Sequence, residues 1–369
     1  MAPFERAEAV RARIGQAYQN VGAHCFPVVE FALVKVFIDY KAFDALPDEG
    51  DMLVSELAAK VGGEQELVER ITTFFIAAGI LVSAAPGRVA HTARSRLFKS
   101  SEPTAWLYIH VFNNIIRPVV QFPAFFAKHG LASPKSARTT PLGLAFGYED
   151  KAVYDILVAD TQTHKGFNNA LRELGAMYSL KGVYDFRWMQ GVIWGPRPAI
   201  VDVGGSSGYA LRDALRNNPF IPPEKCVLFD LPKVIENTKS NLDESLLSVQ
   251  LVGGDMFEPY PEGLRGALVY QFRRVFNDFP DDNVVQALQT VRNAAAPDTR
   301  ILVIEEMLSA KPNVMNVTMD IALMCAAGKR RNAAMFSELA GRSGFRLNAE
   351  FHKTSDEFDD FSVLEFVVG

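Results

Sequence analysis

The sequence predicts an α/β fold, with a parallel sheet in its C-terminal half and a mainly helical region before it. From about residue 186 onward, short apolar runs alternate with amphipathic segments, which is typical of a sheet with helices on both faces. Three of these runs carry informative residues: PAIVDVGGSSG (198–208), CVLFDLPKV (226–234) and VQLVGGDMFEPYP (249–261). With 369 residues, the chain has room for two or three structural units.

The first run predicts a buried strand, a glycine-rich turn and then the helix YALRDALRNN. Gly204, Gly205 and Gly208 allow the backbone to approach a ligand closely and to adopt angles that a side chain would forbid. A glycine-rich turn after a strand is a weak signal by itself. The interpretation therefore depends on the two runs that follow.

The second and third runs supply the residues expected around a nucleoside. The strand predicted in the second run ends at Asp230, 26 residues after Gly204, where a carboxylate can accept hydrogen bonds from both hydroxyls of a ribose. The strand predicted in the third run ends at Asp255, which is followed by Met256 and Phe257. A carboxylate beside apolar side chains suits an adenine ring, whose amino group donates while its faces stack. The alternative is an ordinary doubly wound sheet with acidic loops.

In this order, the three segments resemble the S-adenosylmethionine (SAM) site of the small-molecule O-methyltransferases of plants and fungi. The similarity continues through 270–295, 301–308 and 319–347 and includes the N-terminal part, so it covers essentially the whole chain. It implies a Rossmann-like SAM-binding domain and an N-terminal domain that forms a homodimer. The implied SAM ligands are the three glycines at the amino-acid end, Asp230 at the ribose, Asp255, Met256 and Phe257 at the adenine, and Arg273.

Residues 1–100 are predicted to form a winged-helix-like dimerisation domain. The segment 51–82 has the apolar spacing of two helices separated by Gly62 and Gly63, and 79–92 has a glycine turn between two extended runs. Winged helices often bind DNA, but the second helix is acidic where a recognition helix is basic. DNA binding is therefore not expected, and the resemblance to the O-methyltransferases implies that this module dimerises instead.

Two further regions complete the predicted organisation. Residues 101–185 are expected to form helices, over 105–130 and 148–178, that cover a substrate pocket. Residues 186–369 are expected to form the Rossmann-like SAM-binding domain.

The composition excludes several classes of protein. A net charge of −5 and a pI near 5.8 argue against a nucleic-acid partner. Three separated cysteines match neither a disulfide framework nor a zinc site, so we expect no metal and a reducing, cytoplasmic location. The longest apolar stretches, such as 26–38, contain charges and are short, so no signal peptide or membrane span is predicted. The 27 phenylalanines fit a pocket for a bulky apolar small molecule.

The segment FRRVFNDF (272–279) differs from the resembled family where the acceptor proton is removed. The family motif has the form LKWxLHDW, and its His is the general base. Aligned on Asp278, this chain has Asn277 in place of that His. It also has Arg273 for the Lys and Phe279 for the Trp. A neutral amide has no useful basicity, so position 277 cannot supply a general base.

The family also uses two carboxylates to orient its His. The resemblance implies that the first is retained as Glu305, or as Glu306 in an alternative register. The second, normally the acid of a GKERT-like segment, is Arg330 in GKRRN (328–332). A base has thus become an amide, and an acid has become a cation.

Three functions are compatible with this pattern. The preferred one is a pericyclase, since fungal relatives of this family include enzymes that bind SAM without consuming it and catalyse dehydration and ring closure, such as a hetero-Diels–Alder or Alder-ene reaction. The second is an O-methyltransferase acting on an acidic hydroxyl, such as that of a tetramic acid or pyridone. The third is a non-catalytic SAM-binding subunit.

His110, in WLYIHVFNN, is relevant to this choice. A lone His among aromatic residues is commonly a core residue. If it faces the pocket, it is a candidate acid or hydrogen-bond donor for the loss of water, and the resemblance to the pericyclases implies this role.

Overall fold

The computed structural model describes residues 3–148, 150–159, 179–192, 195–309, 311, 313–352 and 361–369. Within them the chain divides into two compact units, with residues up to 112 in the first and residues from 113 onward in the second. Most of the predicted helical segment 148–178 lies outside the described residues. Its described part contains helix α10 (Val153–Ala159).

The first unit combines helices with a small antiparallel sheet, whose strand order is β1-β3-β2. Its elements are α1 (Pro3–Asp39), α2 (Ala42–Ala45), β1 (Met52–Leu53), α3 (Val54–Val61), α4 (Gln65–Ala77), β2 (Leu81–Ala85), β3 (Arg88–His91), α5 (Ala93–Arg96) and α6 (Pro103–Val111). Gly62 ends α3 with a φ of +66°, a backbone angle that glycine adopts without strain. The predicted pair of helices and the hairpin are both confirmed.

Helix α1 is longer than the apolar pattern of 26–38 indicated. Its part Arg11–Asp39 is long and apolar enough, by length and composition, to cross a membrane, and it is the one such helix among the described residues. The expectation that this stretch is too short was therefore wrong. Core helices of soluble proteins share these properties, so this finding alone does not establish a membrane span.

The second unit begins with short helices and continues as a seven-stranded sheet. The predicted helix over 105–130 is interrupted by a π-helical turn, Phe112–Ile116, after which come α7 (Arg117–Val119), α8 (Phe122–His129), α9 (Pro141–Phe146) and α10. The later helices are α11 (Tyr209–Asn217), α12 (Pro232–Lys239), α13 (Asp281–Ala294), α14 (Val314–Leu323) and α15 (Ala333–Arg342).

The sheet has the order β6-β5-β4-β7-β8-β10-β9, and its first five strands are parallel. The strands are β4 (Ile200–Val203), β5 (Cys226–Asp230), β6 (Gln250–Gly253), β7 (Val269–Arg273), β8 (Arg300–Glu306), β9 (Phe345–His352) and β10 (Phe361–Val368). Side chains of the central strands point alternately to two apolar cores, one shared with α13 and α15 and the other with α11 and α12. The predicted Rossmann-like α/β fold is thus confirmed. In such a sheet, ligands bind beyond the carboxyl ends of the parallel strands.

Candidate active site

The loop after β4 is too tightly packed to accept side chains. Gly204 and Gly208 have φ values of +69° and +82°. A Cβ on Gly205 would lie 2.3 Å from Cδ1 of Leu228, and a Cβ on Gly204 would lie 2.9 Å from Cγ2 of Val275. The glycines are therefore required both by backbone angle and by space, as the sequence predicted.

The carboxylate of Asp230 supports this loop from the end of β5. Its Oδ2 accepts a hydrogen bond from the backbone N–H of Ser206 at 2.7 Å, and its Oδ1 accepts one from that of Leu231 at 2.7 Å. Burial raises the pKa of Asp230, while these two N–H groups lower it. Each carboxylate oxygen has a further lone pair, so the group can still accept hydroxyl hydrogens.

The segment after β6 places a carboxylate beside apolar side chains, as predicted for an adenine site. Asp255 is exposed, and its Oδ1 accepts a hydrogen bond from the N–H of Phe257 at 2.9 Å. Met256 and Phe257 pack against the apolar core. The ring of Phe257 makes an edge contact with that of Phe279, with centroids 5.4 Å apart. The segment is thereby joined to the turn that carries the altered motif.

A buried polar cluster that the sequence analysis missed lies at the centre of the sheet. Gln271 donates from Nε2 to Oδ1 of Asp202 at 2.9 Å, and both side chains are buried. Burial raises the pKa of Asp202 to about 6, opposed by the hydrogen bond from Gln271 and the charge of Arg273. Burial also lowers the pKa of Arg273. A Gln within an otherwise apolar strand pattern was the sequence signal for this cluster.

The altered motif forms a turn whose N–H groups are held by Glu305. Oε1 of Glu305 accepts hydrogen bonds from the N–H groups of Val275, Phe276 and Asn277, at 2.9, 2.8 and 3.2 Å. Burial, together with the nearby carboxylates, raises the pKa of Glu305 to about 8. Glu306 instead pairs with Arg274 at 3.3 Å. Of the two registers considered, the structure thus places Glu305 against residue 277.

The carbonyl groups of the same turn are held by Arg331, which the sequence analysis did not single out. Its buried guanidinium donates to the carbonyl oxygens of Phe276 and Phe279, at 2.8 and 2.7 Å, and from Nε to Asp281 at 2.8 Å. A Cβ on Gly328 would lie 2.1 Å from the carbonyl oxygen of Asn277. Together with Glu305, these contacts fix the backbone of residues 275–279.

Two neighbouring polar side chains belong to this turn. Asn277 is buried and donates from Nδ2 to the carbonyl oxygen of Glu306 at 3.0 Å. Asp278 accepts a hydrogen bond at Oδ2 from the hydroxyl of Tyr154 at 2.7 Å. The ring of Tyr154 stacks on Phe279, with centroids 5.9 Å apart. Tyr154 was also missed by the sequence analysis, because 124 residues separate it from Asp278.

The remaining candidates lie in different parts of the chain. Arg330 is buried and lies next to Lys329, whose N–H donates to the carbonyl oxygen of Asn277 at 2.9 Å. The backbone N–H of Arg330 donates to Oδ1 of Asp320 at 2.7 Å. His110 is half-buried in α6 of the first unit, and its orientation toward a pocket stays a prediction. Among the described residues, no group of three or more His, Cys, Asp and Glu side chains is arranged to hold a metal ion.

The glycine turn, Asp230 and Asp255 lie at or just after the carboxyl ends of parallel strands, where α/β proteins of this class bind their ligands. A family model described as the O-methyltransferase domain matches residues 135–346, more than half of the chain. Methyltransferase phm5 from Pyrenochaetopsis sp. is 39% identical over 93% of this chain and 94% of its own length. Methyltransferase pynC from Aspergillus niger is 37% identical over 93% of this chain and 95% of its own. The chain therefore belongs to the O-methyltransferase family, and SAM is its cofactor.

Solved structures show the same fold. OxaC superimposes with a TM-score of 0.84 at 21% identity, covering 94% of this chain and 87% of that chain. A protein described as a pericyclic reaction enzyme superimposes with a TM-score of 0.80 at 21% identity, covering 100% of this chain and 95% of that chain. OxaC has been solved with S-adenosylhomocysteine (SAH) and oxaline. At this identity, these likenesses establish the fold and not the reaction.

Proposed function

We propose that the protein transfers the methyl group of SAM to an acidic acceptor on a bulky apolar natural product, such as the hydroxyl of a tetramic acid or pyridone. The observation that carries this proposal is the neutral amide of Asn277 at the family's base position, in a turn that is otherwise rigidly held. Full-length relatives named methyltransferases support methyl transfer rather than a reaction that leaves SAM intact.

The strand-end residues fit SAM. The glycine loop of Gly204, Gly205 and Gly208 would receive the amino-acid end. Asp230 would bind the ribose, and Asp255 with Met256 and Phe257 would bind the adenine. Arg273, at the end of β7, would lie near the ribose or the carboxylate. When bound, SAM supplies an electrophilic methyl group on a positively charged sulfur.

Acidity of the acceptor follows from the chemistry of position 277. A phenol with a pKa near that of tyrosine, about 10, requires about 4 kcal/mol to ionise at pH 7, and the family's His lowers this cost. An amide cannot do so. An acceptor that ionises near neutral pH removes most of this cost. Arg330, in place of an acid, would stabilise negative charge that develops on the acceptor.

The proposal is tested with two acceptors of similar size, a 4-hydroxy-2-pyridone and a phenol carrying the same apolar substituent. We expect the wild type to form SAH and methylated product with the pyridone but not with the phenol, measured by mass spectrometry. Asn277→His combined with Arg330→Glu should gain activity on the phenol, and more than the sum of the single variants. Rapid methylation of the phenol by the wild type, or no SAH with either acceptor, would contradict the proposal.

The pericyclase is the second candidate, because the same replacements at positions 277 and 330 remove the groups that methyl transfer ordinarily uses. In this function the sulfonium charge of SAM and Arg330 would polarise a substrate carbonyl. Product formation with SAM unconsumed, and slower when SAH replaces SAM, would establish it. Stoichiometric formation of SAH would exclude it.

We further propose a cytoplasmic homodimer that forms through the first unit. Helix α1 carries apolar side chains that are each more than half exposed: Ile14, Tyr18, Val21, Phe26 and Val28. Such a surface is rare on a monomer and is typical of an interface. Light scattering should give twice the 40.8 kDa mass of the chain, and Val21→Glu should give a monomer. A wild-type monomer at micromolar concentration would contradict the proposal.

A further inference from the structure

Tyr154 and Asp278 form a hydrogen-bonded pair immediately beside the position of the missing base. The Tyr154 hydroxyl donates to Oδ2 of Asp278 at 2.7 Å, and its ring stacks on Phe279. Burial and the charge of Asp278 raise the pKa of Tyr154 well above its ordinary value, so the hydroxyl acts as a neutral donor. Asp278 is partly exposed, and in the described part of the chain the Tyr154 hydroxyl is the side-chain donor to its carboxylate.

The other two carboxylates near the turn are committed to other partners. Glu305 is buried, and its Oε1 already accepts three backbone N–H groups. Glu306 is paired with the guanidinium of Arg274. Oε2 of Glu305 has no hydrogen-bond partner among the described residues, but it is buried. Asp278 differs from Glu305 because it is partly exposed, and from Glu306 because a neutral hydroxyl rather than a cation holds its carboxylate.

We propose that Asp278 accepts the proton of the acceptor, and that Tyr154 is a positioning residue that fixes the Asp278 carboxylate for this role. The inference rests on the methyltransferase function proposed above. It assigns the role of proton acceptor to the carboxylate of Asp278, one residue after the position at which the resembled family has its His.

The step balances without any further reactant. The O–H bond of the acceptor breaks as its proton passes to Asp278, and the acceptor oxygen forms a bond to the methyl carbon of SAM. The carbon–sulfur bond breaks with its electron pair on sulfur, which gives SAH and a methyl ether. The protonated Asp278 then loses its proton to water.

A carboxylate is a weaker base than an imidazole, so this arrangement selects acidic acceptors. Burial raises the pKa of Asp278, and the charge of Glu306 acts in the same direction. The hydroxyl of Tyr154 and the charge of Arg274 lower it, and the buried Glu305 lies near enough to be affected by the charge of Asp278. The base must be ionised, so turnover should rise with pH through the pKa of Asp278.

The test compares Asp278→Asn and Tyr154→Phe with Tyr148→Phe, a control at an exposed tyrosine. Methylation of the 4-hydroxy-2-pyridone is followed across pH with saturating SAM. Asp278→Asn should lower kcat by about 100-fold or more, as expected on loss of a general base, and should remove the acid limb of the profile. Tyr154→Phe keeps the ring but removes the donor, so the acid limb should shift upward by about one pH unit. The control should match the wild type.

Asp278→Asn that retains or gains activity would overturn the inference, because the acceptor would then bind as an anion that Asp278 only repels. A Tyr154→Phe variant with a lower rate but an unchanged acid limb would show a merely structural role and would also overturn it. Both outcomes leave the methyltransferase proposal intact, provided that the wild type forms SAH and product. No SAH from the wild type contradicts the function and the inference together.

Discussion

The cofactor end and the acceptor end of the candidate site are built in different ways. At the cofactor end, the shape comes from backbone that has no room for side chains, as at Gly204 and Gly205. At the acceptor end, buried side chains hold a turn from both sides, Glu305 at its N–H groups and Arg331 at its carbonyls. At the cofactor end, other residues cannot replace these glycines without a clash. At the acceptor end, the backbone of the turn is fixed through contacts that do not involve the side chain at 277.

The largest expected effect on stability comes from removing Arg331, which holds the carbonyl groups of the turn. Arg331→Met leaves the buried carbonyls of Phe276 and Phe279 without their charged donor, whereas Asp281 keeps its ion pair with Lys329. The loss of these hydrogen bonds should lower the free energy of unfolding by about 3–5 kcal/mol. Arg342→Met is the matched control, since Arg342 pairs with Asp282 at the surface and should contribute about 1 kcal/mol or less. Urea denaturation of both variants measures the difference. Equal losses would mean that Arg331 does not hold the turn.

The N–H side of the turn is tested with two replacements of Glu305. Glu305→Ala leaves three backbone N–H groups without an acceptor and should cost about 3 kcal/mol of stability, whereas Glu305→Gln keeps an acceptor oxygen and should cost about 1 kcal/mol or less. If both variants lose the same stability, the hydrogen bonds are not the cause.

A comparison of the wild type with Glu305→Gln also tests how the stability of the protein depends on pH. The pKa of Glu305 is raised from 4.5 to about 8, so between these values the folded protein holds a proton that the unfolded chain has lost. Stability of the wild type should therefore fall as pH rises through this window, while Glu305→Gln should lack that contribution. Urea midpoints measured from about pH 5 to pH 8 test this, and parallel curves would contradict it.

A substitution of Gly328, which packs closely against the turn, should have a smaller effect on stability. Gly328→Ala places a Cβ 2.1 Å from the Asn277 carbonyl oxygen and should destabilise the protein by about 2 kcal/mol through overpacking. Gly341→Ala, at an open position in α15, should instead stabilise it by up to about 1 kcal/mol. Thermal unfolding of both variants checks the opposite signs, and two stabilising substitutions would show that the turn is loose.

At the cofactor end, Asp230→Ala should weaken SAM binding by about 1–3 kcal/mol, because the charge-assisted hydrogen bonds to the ribose are lost. Calorimetry with SAM measures this change. Binding to the Arg331→Met variant, at a temperature where it is folded, should be less affected if the two ends are as independent as their construction suggests. Unchanged SAM affinity of Asp230→Ala would remove the ribose assignment.

Local pattern was sufficient to predict the glycine turn and the strand ends that we assign to the cofactor. A strand, a glycine turn and a helix follow one another within about twenty residues, and Asp230 and Asp255 each come at or just after the end of a strand. The acceptor end was predicted only in part. The loss of the base at Asn277 was visible in the motif, but Tyr154 and Arg331 were not, because they lie 124 and 55 residues from their partners in the turn.

The sequence by itself determined the α/β class, the order of the strands along the chain and the presence of an amide at position 277, where the resembled family has its His. These features depend on residue type and short-range spacing, both of which can be read directly from the local sequence. Only the tertiary structure decided that Glu305 rather than Glu306 holds the turn, that Arg331 closes it, and that Tyr154 meets Asp278. The reason is that neighbouring residues on a strand point to opposite faces, and a contact between distant segments exists only once the sheet and its helices have packed.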